Sequence, residues 1–156
     1  MSPRVGIGVD AHAFEDGVPL VLGGVEFESP RGLAGHSDGD VITHALIDAV
    51  LGAAGLGDIG SLFPSDASTP IGVSSLDLLR DAVARVRAAG YAVSNADCVL
   101  IGEEPRISER RAEMGDALSA VVGAPVNVRA TTTDRLGFTG RREGLAAQAV
   151  ALVESS

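Results

Sequence analysis

Asp10 and His12 stand two residues apart at the end of a run from Arg4 to Asp10 that reads as a strand. Side chains two apart on a strand point to the same side, so this carboxylate and imidazole can converge on one cation. Alone, such an Asp-x-His pair is as readily a solvated carboxylate beside a surface histidine. His44 adds a third donor. It lies in a stretch of helical apolar spacing, with Asp40 and Asp48 four residues to either side on the same face. Either carboxylate is placed to orient the ring nitrogen that a metal leaves free. Two histidines and one carboxylate leave a fourth position open, as in catalytic rather than structural zinc sites. The same donors suit non-haem iron(II), and an open position serves a Lewis acid or an activator of water.

Two other segments are built to meet an anion. Gly35-His36-Ser37-Asp38-Gly39-Asp40 leads into the His44 helix and presents backbone N–H groups and a positive dipole end, with His36 as a donor. It is also an ordinary capping loop, with Ser37 or Asp38 as cap; adjacency of Ser, His and Asp in sequence is not the geometry of a hydrolase triad. Thr131-Thr132-Thr133-Asp134 runs on to Leu136 through Arg141, placing three hydroxyls, a carboxylate and an arginine in one stretch suited to phosphate and hydrated Mg²⁺. Gly6-Ile7-Gly8 looks like a piece of a dinucleotide fingerprint, but no third glycine and no immediate helix follow, so that reading is set aside.

Composition limits the remaining chemistry. The 156 residues are the size of one domain, read as spanning 1–156, and 46% hydrophobic with 21% charged residues is the composition of a folded globular chain. The charge is −9 and all 12 basic residues are arginine. Lysine Schiff-base chemistry and a P-loop lysine are therefore excluded, and the acidic balance argues against a nucleic-acid or acidic-membrane partner. Cys98 is the only cysteine, so no intrachain disulfide and no multi-cysteine metal site can form. No apolar run is long enough for a membrane helix and no secretory pattern opens the chain, which points to the cytoplasm.

The elements that must position these residues follow from periodicity. A strand over Arg4–Asp10 and a hairpin of Leu20–Leu22 with Val25–Phe27 around Gly23-Gly24 come first. A helix over Asp40–Ala54 stops at Gly55, and the breaker-rich segment from Leu56 to Val73 reads as a long irregular loop. Ser74 or Ser75 caps a second helix that closes at Gly90, Tyr91–Ile101 is extended, and Ser108 caps a third helix ending at Gly123. Val126 and Val128 mark a strand, and Glu143–Val153, with Leu145, Ala149, Val150 and Val153, is expected to be a terminal amphipathic helix. The fold class is α+β in α/β-type alternation: a mixed sheet with helices on one face, whose other apolar face asks for a partner.

Gly8-Val9-Asp10-Ala11-His12-Ala13-Phe14, Gly23-Gly24-Val25, His36-Ser37-Asp38-Gly39-Asp40-Val41, His44-Ala45 and Asp48-Ala49 form an ordered series. It continues through Leu51-Gly52-Ala53-Ala54, Gly57-Asp58-Ile59-Gly60, Phe63-Pro64 and the run from Ala130 to Gly144. Over almost its whole length the chain resembles the 2-C-methyl-D-erythritol 2,4-cyclodiphosphate synthase family of the non-mevalonate isoprenoid pathway. The resemblance implies a homotrimer whose sheets face a threefold axis, with active sites at subunit junctions. It also implies the reaction: the 2-phosphate of 4-diphosphocytidyl-2-C-methyl-D-erythritol 2-phosphate attacks the β-phosphorus, the cyclic diphosphate closes and CMP leaves.

By that likeness Asp10, His12 and His44 hold Zn²⁺, and His36 and Thr132 stabilise the charge that develops in transfer. Asp134 stands where the family has a glutamate on Mg²⁺ or Mn²⁺. Ala11, Ser37, Thr131 and Thr133 bind substrate, Asp58 and Gly60 hold ribose hydroxyls, and Ile59, Phe63 and Ser65 line the methylerythritol site. Gly102, Pro105, Arg106, Ile107 and Ser108 match the cytidine pocket. Phe138 and Arg141 match positions facing a central cavity that accepts isoprenoid diphosphates, with Glu143 as a partner for Arg141. The chain departs from the family pattern at Ser65-Asp66-Ala67, at Asp134 and at Arg106, which replaces a lysine.

Overall fold

A computed structural model describes residues 2–156. Its elements are β1 (Arg4–Asp16), β2 (Leu20–Leu22), β3 (Val25–Phe27), β4 (Arg31–Leu33), α1 (Val41–Ala54), α2 (Ile59–Leu62) and α3 (Ser75–Ala88). After these come β5 (Tyr91–Ile101), α4 (Arg111–Val122), β6 (Val126–Thr131), α5 (Gly137–Gly140) and β7 (Gly144–Ser155). Five strands form one sheet in the order β4-β1-β7-β5-β6, and β2 pairs with β3 as the expected hairpin. Only β5 and β6 run parallel, and α4 makes the crossover between them, so the sheet is mixed.

The last segment departs from the sequence reading. Gly144–Ser155 is not a helix but the central strand, paired antiparallel with both β1 and β5. Leu145, Ala147, Ala149, Ala151 and Val153 are buried while Gln148 and Val150 are exposed, a period of two. Alanine is the best helix former, and its density there favoured a helical reading; tertiary pairing on both edges overrides that preference. The small side chains instead let α1 lie close over the middle of the sheet.

Helix α1 comes closest at β1. A Cβ built on Gly6 would lie 2.0 Å from the Ala49 carbonyl oxygen, and one on Gly8 would lie 1.8 Å from that of Ala45. Both neighbours are backbone, so no side-chain rotation relieves the clash, and this is the use of the Gly6-Ile7-Gly8 run. The start of the helix is fixed by Asp40, fully buried, which accepts from Thr43 N at 3.1 Å and Thr43 Oγ1 at 2.6 Å. The same carboxylate accepts from Gly23 N at 2.9 Å and Gly24 N at 2.7 Å. Burial raises the pKa of Asp40 even against the hydrogen bonds from Thr43 and Gly24. One carboxylate thus caps α1 and ties down the hairpin turn.

The helices cover one face of the sheet and leave the other open. Val5, Ile7 and Val9 on β1 are 68%, 65% and 58% exposed, and Val150 on β7 is 45% exposed. No helix of the described residues is long and apolar enough to cross a membrane.

Gly8→Ala is expected to lower unfolding stability by about 3 kcal/mol or more, because the new methyl must displace helix backbone. Equilibrium urea unfolding measures it. A loss under about 1 kcal/mol would mean that α1 can shift without harm.

Candidate active site

The middle of β1, which runs six residues past the expected end at Asp10, and the fourth residue of α1 bring together the three donors read from the sequence. Asp10 and His12 share the helix-facing side of β1 with Gly6 and Gly8. The close approach of α1 then sets His44 against them. Asp10 Oδ2 lies 2.8 Å from His12 Nε2 and 3.2 Å from His44 Nδ1, and the two ring nitrogens are 3.2 Å apart. For bond lengths near 2.0–2.1 Å, ligand atoms of a tetrahedral zinc lie about 3.3 Å from one another, so the spacing fits.

Hydrogen bonding on the outer side of each ring fixes which nitrogen faces the cluster. His12 Nδ1 is 2.7 Å from the Ala34 carbonyl oxygen, which only accepts, so the proton is on Nδ1 and the Nε2 lone pair points at Asp10. His44 Nε2 lies 2.9 Å from both Ser37 Oγ and Ser75 Oγ. The Ser75 hydroxyl donates to Asp38 Oδ1, so its oxygen accepts from His44 and leaves the Nδ1 lone pair facing inward. Two lone pairs and a carboxylate oxygen then meet within 3.2 Å with no proton among them. Such a set is stable only around a cation or a captured proton.

The electrostatics agree. Burial works against ionised Asp10, but with protons captured in the cluster, hydrogen bonds from His12 and His44, with their charge, hold its carboxyl at about 2. Burial likewise opposes charging His12, yet Asp10's hydrogen bond and charge, with the Ala34 carbonyl, raise its pKa above the ordinary value.

Neither carboxylate expected to orient His44 does so. Asp40 is spent on capping α1, and Asp48 turns away to accept from Ile59 N at 2.7 Å. Serine hydroxyls take that place. Likewise neither Ser74 nor Ser75 caps α3 with its own hydroxyl; Asp38 does so from the distant loop, accepting from Ser75 N at 3.0 Å. Ser75 and Asp38 were missed as site residues, and a doubled serine at a helix start with only one cap to fill was the sequence signal.

A cavity of about 140 Å³ opens beside the cluster, lined by His36, Ser37, Ile59, Gly60, Phe63, Ser65 and Thr69 among others. The breaker-rich loop is more ordered than its composition implied. Asp58 caps α2 by accepting from Ser61 N at 2.8 Å, and Ser61's backbone and hydroxyl hydrogen bonds lower the Asp58 pKa. Phe63 is half-buried, whereas Asp58 is exposed and lies outside the cavity lining. His36 Nε2 donates to the Thr69 carbonyl, which leaves Nδ1 free. Ala11 falls on the opposite, open face of the sheet, so its side chain does not enter the cavity.

The second anion segment lies elsewhere. Gly102, Pro105, Arg106, Ile107, Ser108, Thr131 and Thr132 line a separate cavity of about 440 Å³, with Glu103, Arg111, Arg135 and Arg142. Ile107 is 2% exposed, so it belongs to the core as much as to the cavity wall. Glu103 Oε2 is buried without a hydrogen-bond partner among the described residues, a feature its bare presence in the sequence did not signal. The helix expected to start at Ser108 begins with a single turn of 3₁₀ helix, Ser108–Arg110, before α4.

Asp134 sits at a positive φ of 52° and Arg135 at 66°, a tight turn after β6. Thr132 Oγ1 donates to Asp134 Oδ1 at 3.4 Å, while Thr133 Oγ1 donates to the Leu136 carbonyl at 2.7 Å and serves the turn. Phe138 is 43% exposed, and Arg141 pairs with Glu143 as expected.

In one chain these two halves do not meet. Asp10, Ala147, Leu100 and Ala130 form one row of partners across β1, β7, β5 and β6. Three strand spacings put about 14 Å between its ends. His36 and Thr132, expected to act together, therefore lie at opposite edges of the sheet.

Residues 3–154 match the model of the YgbB family. Among curated proteins, the chain is 53% identical over 154 residues to the 2-C-methyl-D-erythritol 2,4-cyclodiphosphate synthase of Alkalilimnicola ehrlichii, covering 96% of this chain and 94% of that one. It is 49% identical to that of an Escherichia coli strain, covering 96% of each. Among solved structures, the bifunctional IspDF of Campylobacter jejuni matches with a TM-score of 0.95 at 37% identity, over 99% of this chain and 43% of that chain. The CDP complex of Plasmodium falciparum IspF matches with a TM-score of 0.85 at 30% identity, over 99% and 97%.

The raised His12 pKa stabilises the metal-free fold below about pH 6.5, and that contribution is lost as pH rises through the folded-state value. The lowered Asp10 pKa gives stability present above the ordinary carboxylate range and lost only as pH falls toward about 2. A metal needs the lone pair that the His12 proton occupies, so its contribution grows in the opposite direction. Thermal unfolding with chelator and with Zn²⁺ is expected to show a gap that widens from about pH 6 to about pH 8.5. Parallel curves would remove the cation from this cluster.

Proposed function

Because the chain belongs to the YgbB family, that of the 2-C-methyl-D-erythritol 2,4-cyclodiphosphate synthases, we propose that it closes the cyclic diphosphate and releases CMP as they do. The substrate of this reading is 4-diphosphocytidyl-2-C-methyl-D-erythritol 2-phosphate, and residues 1–156 act as one catalytic domain in the cytoplasm. The observation that carries it is the cluster of Asp10, His12 and His44 opening into a cavity lined by His36 and Ser37. Asp10, His12 and His44 would hold zinc, which when bound supplies Lewis-acid withdrawal of charge from a phosphoryl group.

The chain's own residues bind and orient. The 2-phosphate is already an anion, so no strong general base is required, and catalysis reduces to alignment and charge neutralisation. His36, anchored through Nε2 to Thr69, presents Nδ1 to the cavity, and Ser37 offers its hydroxyl beside it. Ile59, Phe63 and Ser65 wall the methylerythritol end, and Gly60 on the same wall, with the exposed Asp58 two residues before it, would take the ribose hydroxyls. The backbone beside Ala11 borders the phosphates.

Thr131 and Thr132 supply hydroxyls to the phosphates while Thr133 holds the turn behind them, Asp134 would hold Mg²⁺ or Mn²⁺, and the cavity walled by Gly102, Pro105, Arg106, Ile107 and Ser108 takes the cytidine. Two features support a trimer in which one subunit's metal half meets its neighbour's cytidine half. The half-sites lie at opposite edges of one sheet, and the apolar face carrying Val5, Ile7 and Val9 is left uncovered. Phe138 and Arg141 would then face the central cavity, with an isoprenoid diphosphate as their ligand.

Mixing the protein with this substrate, Zn²⁺ and Mg²⁺ is expected to give CMP and a cyclic diphosphate by ³¹P NMR. His44→Ala is expected to slow that reaction by about 10²-fold or more. Inorganic phosphate in place of the cyclic product would identify a phosphohydrolase using the same cluster.

Ile7→Asp on the open face is expected to convert a trimer to monomers in sedimentation, and to cut activity by on the order of 10²-fold while leaving metal affinity intact. A fully active monomer would place the whole site within one chain.

A further inference from the structure

We propose that Ser75 and Asp38 are positioning residues for the metal cluster: together they lock the ring of His44 and tie it to the loop that carries His36. The inference rests on the cluster of Asp10, His12 and His44 binding a cation, not on the identity of the reaction.

Ser75 is the first residue of α3 and fully buried. Its hydroxyl has one proton, and that proton goes to Asp38 Oδ1. The oxygen lies 2.9 Å from His44 Nε2, so His44 must be the donor there, and only its Nδ1 is left to bind. Ser37 Oγ stands at the same 2.9 Å from Nε2 but accepts from Gly39 N at 3.2 Å, and no carboxylate fixes where its own proton points. Ser37 alone would let the imidazole adopt either tautomer. The charge on Asp38 makes the Ser75 oxygen a stronger acceptor, which raises the basicity of the opposite nitrogen.

Asp38 reaches further than this one hydroxyl. Its Oδ2 caps α3 through Ser75 N at 3.0 Å, its Oδ1 accepts from Asp40 N at 3.1 Å, and its own N–H donates to the Val73 carbonyl at 3.1 Å. Next to Val73, Gly72 N donates to the His36 carbonyl at 2.7 Å, and His36 Nε2 returns a bond to Thr69. The segment 69–75 and the loop 36–40 are thus laced together, and the lacing ends on a metal donor. Losing the Ser75 hydroxyl frees the tautomer of His44 and loosens the strand of contacts that aims His36.

The test uses metal alone. Zn²⁺ affinity of the full chain is measured by competition with a chromophoric chelator at pH 7, with circular dichroism to confirm folding. Ser75→Ala is expected to weaken Zn²⁺ binding about 10- to 100-fold. Ser74→Ala, whose hydroxyl makes no cap, is expected to leave it within about twofold. A purely structural role for Ser75 would lower the melting temperature equally with and without metal and leave affinity unchanged, and that result overturns the proposal.

If Ser75→Ala does not fold, Asp38→Asn keeps the shape and the contact but removes the charge. A loss of at least about threefold then supports the proposal and no change overturns it. The wild-type chain gives a reading independent of any variant. ¹⁵N NMR of its histidines with Zn²⁺ bound is expected to show His44 protonated at Nε2, and a metal-shifted Nε2 overturns the proposal. Failure of the cyclase reaction with these affinity changes intact would fault the reaction and not the positioning pair.

Discussion

Helix α1 lies on β1 backbone to backbone, and the candidate site exists only because of that approach. An ordinary side chain at Gly6 or Gly8 would hold helix and strand apart, since its Cβ would fall within 2.0 Å of a helix carbonyl. Helix and sheet layers normally stand near 10 Å apart, too far for a short side chain of one to share a ligand with a short side chain of the other. At the closer separation, a histidine in the second turn of the helix reaches a carboxylate and an imidazole on the strand. The alanines of β7, the central strand, serve the same end by letting the helix sit low over the next strand. Buried Asp40 sets the start of the helix, and with it the rotation that turns His44 toward β1 and not toward the core.

Charge supplies the second constraint. A chain of net charge −9 without lysine repels an anionic substrate at long range, so attraction must be local. Most arginines are committed to carboxylates on the surface, as in Arg129 with Asp97 and Arg85 with Asp81, where a pair contributes little to stability. Arg106, Arg111 and Arg135 are gathered instead around the second cavity, joined there by Arg142, which also lies 3.8 Å from Glu104. Among the described residues no arginine lines the first cavity, so in the proposed reading its attraction for phosphate comes from His36 and the cation that the three acceptors would hold. In the proposed reading negative charge is therefore met by two means in two places: guanidinium groups at one edge of the sheet and the cation that Asp10, His12 and His44 would hold at the other.

The sequence made some of this legible and hid the rest for physical reasons. Donors show through when residue type and local period agree: Asp10 and His12 share a strand face, His44 keeps its place on the helix that the apolar spacing marks, and Gly23-Gly24 marks a turn. Strand β7 was hidden because Ala146, Ala147, Ala149 and Ala151 carry helical preference, and only pairing on both sides makes them a strand. Gly6 and Gly8 looked like a nucleotide motif because glycine records that something comes close, not what comes close. The orienting partner of His44 was sought at helical spacing, in Asp40 and Asp48, whereas the hydroxyl that supplies it comes from a residue 31 positions away. Contacts of that kind leave no period to read. The resemblance to a family assigns Thr131 to Asp134 to the site, where local pattern alone could not tell a phosphate loop from a polar turn.

The split between the halves bears on how copies of the chain would assemble. A patch at the β1 edge that needs a different patch at the β6 edge is a head-to-tail contact, and such contacts either close into a ring or run on as a filament. An open apolar face bearing Val5, Ile7, Val9 and Val150 favours closure, because a ring can turn that face inward and bury it on the axis while a flat filament leaves it wet. In the proposed trimer each junction makes one whole site, so metal half, cytidine half and apolar face are satisfied by the same rotation. The arrangement also explains why no single chain needs a complete cavity: 140 Å³ beside the cluster is too small for a nucleoside diphosphate, and the space it lacks is supplied at the edge where a neighbour would stand.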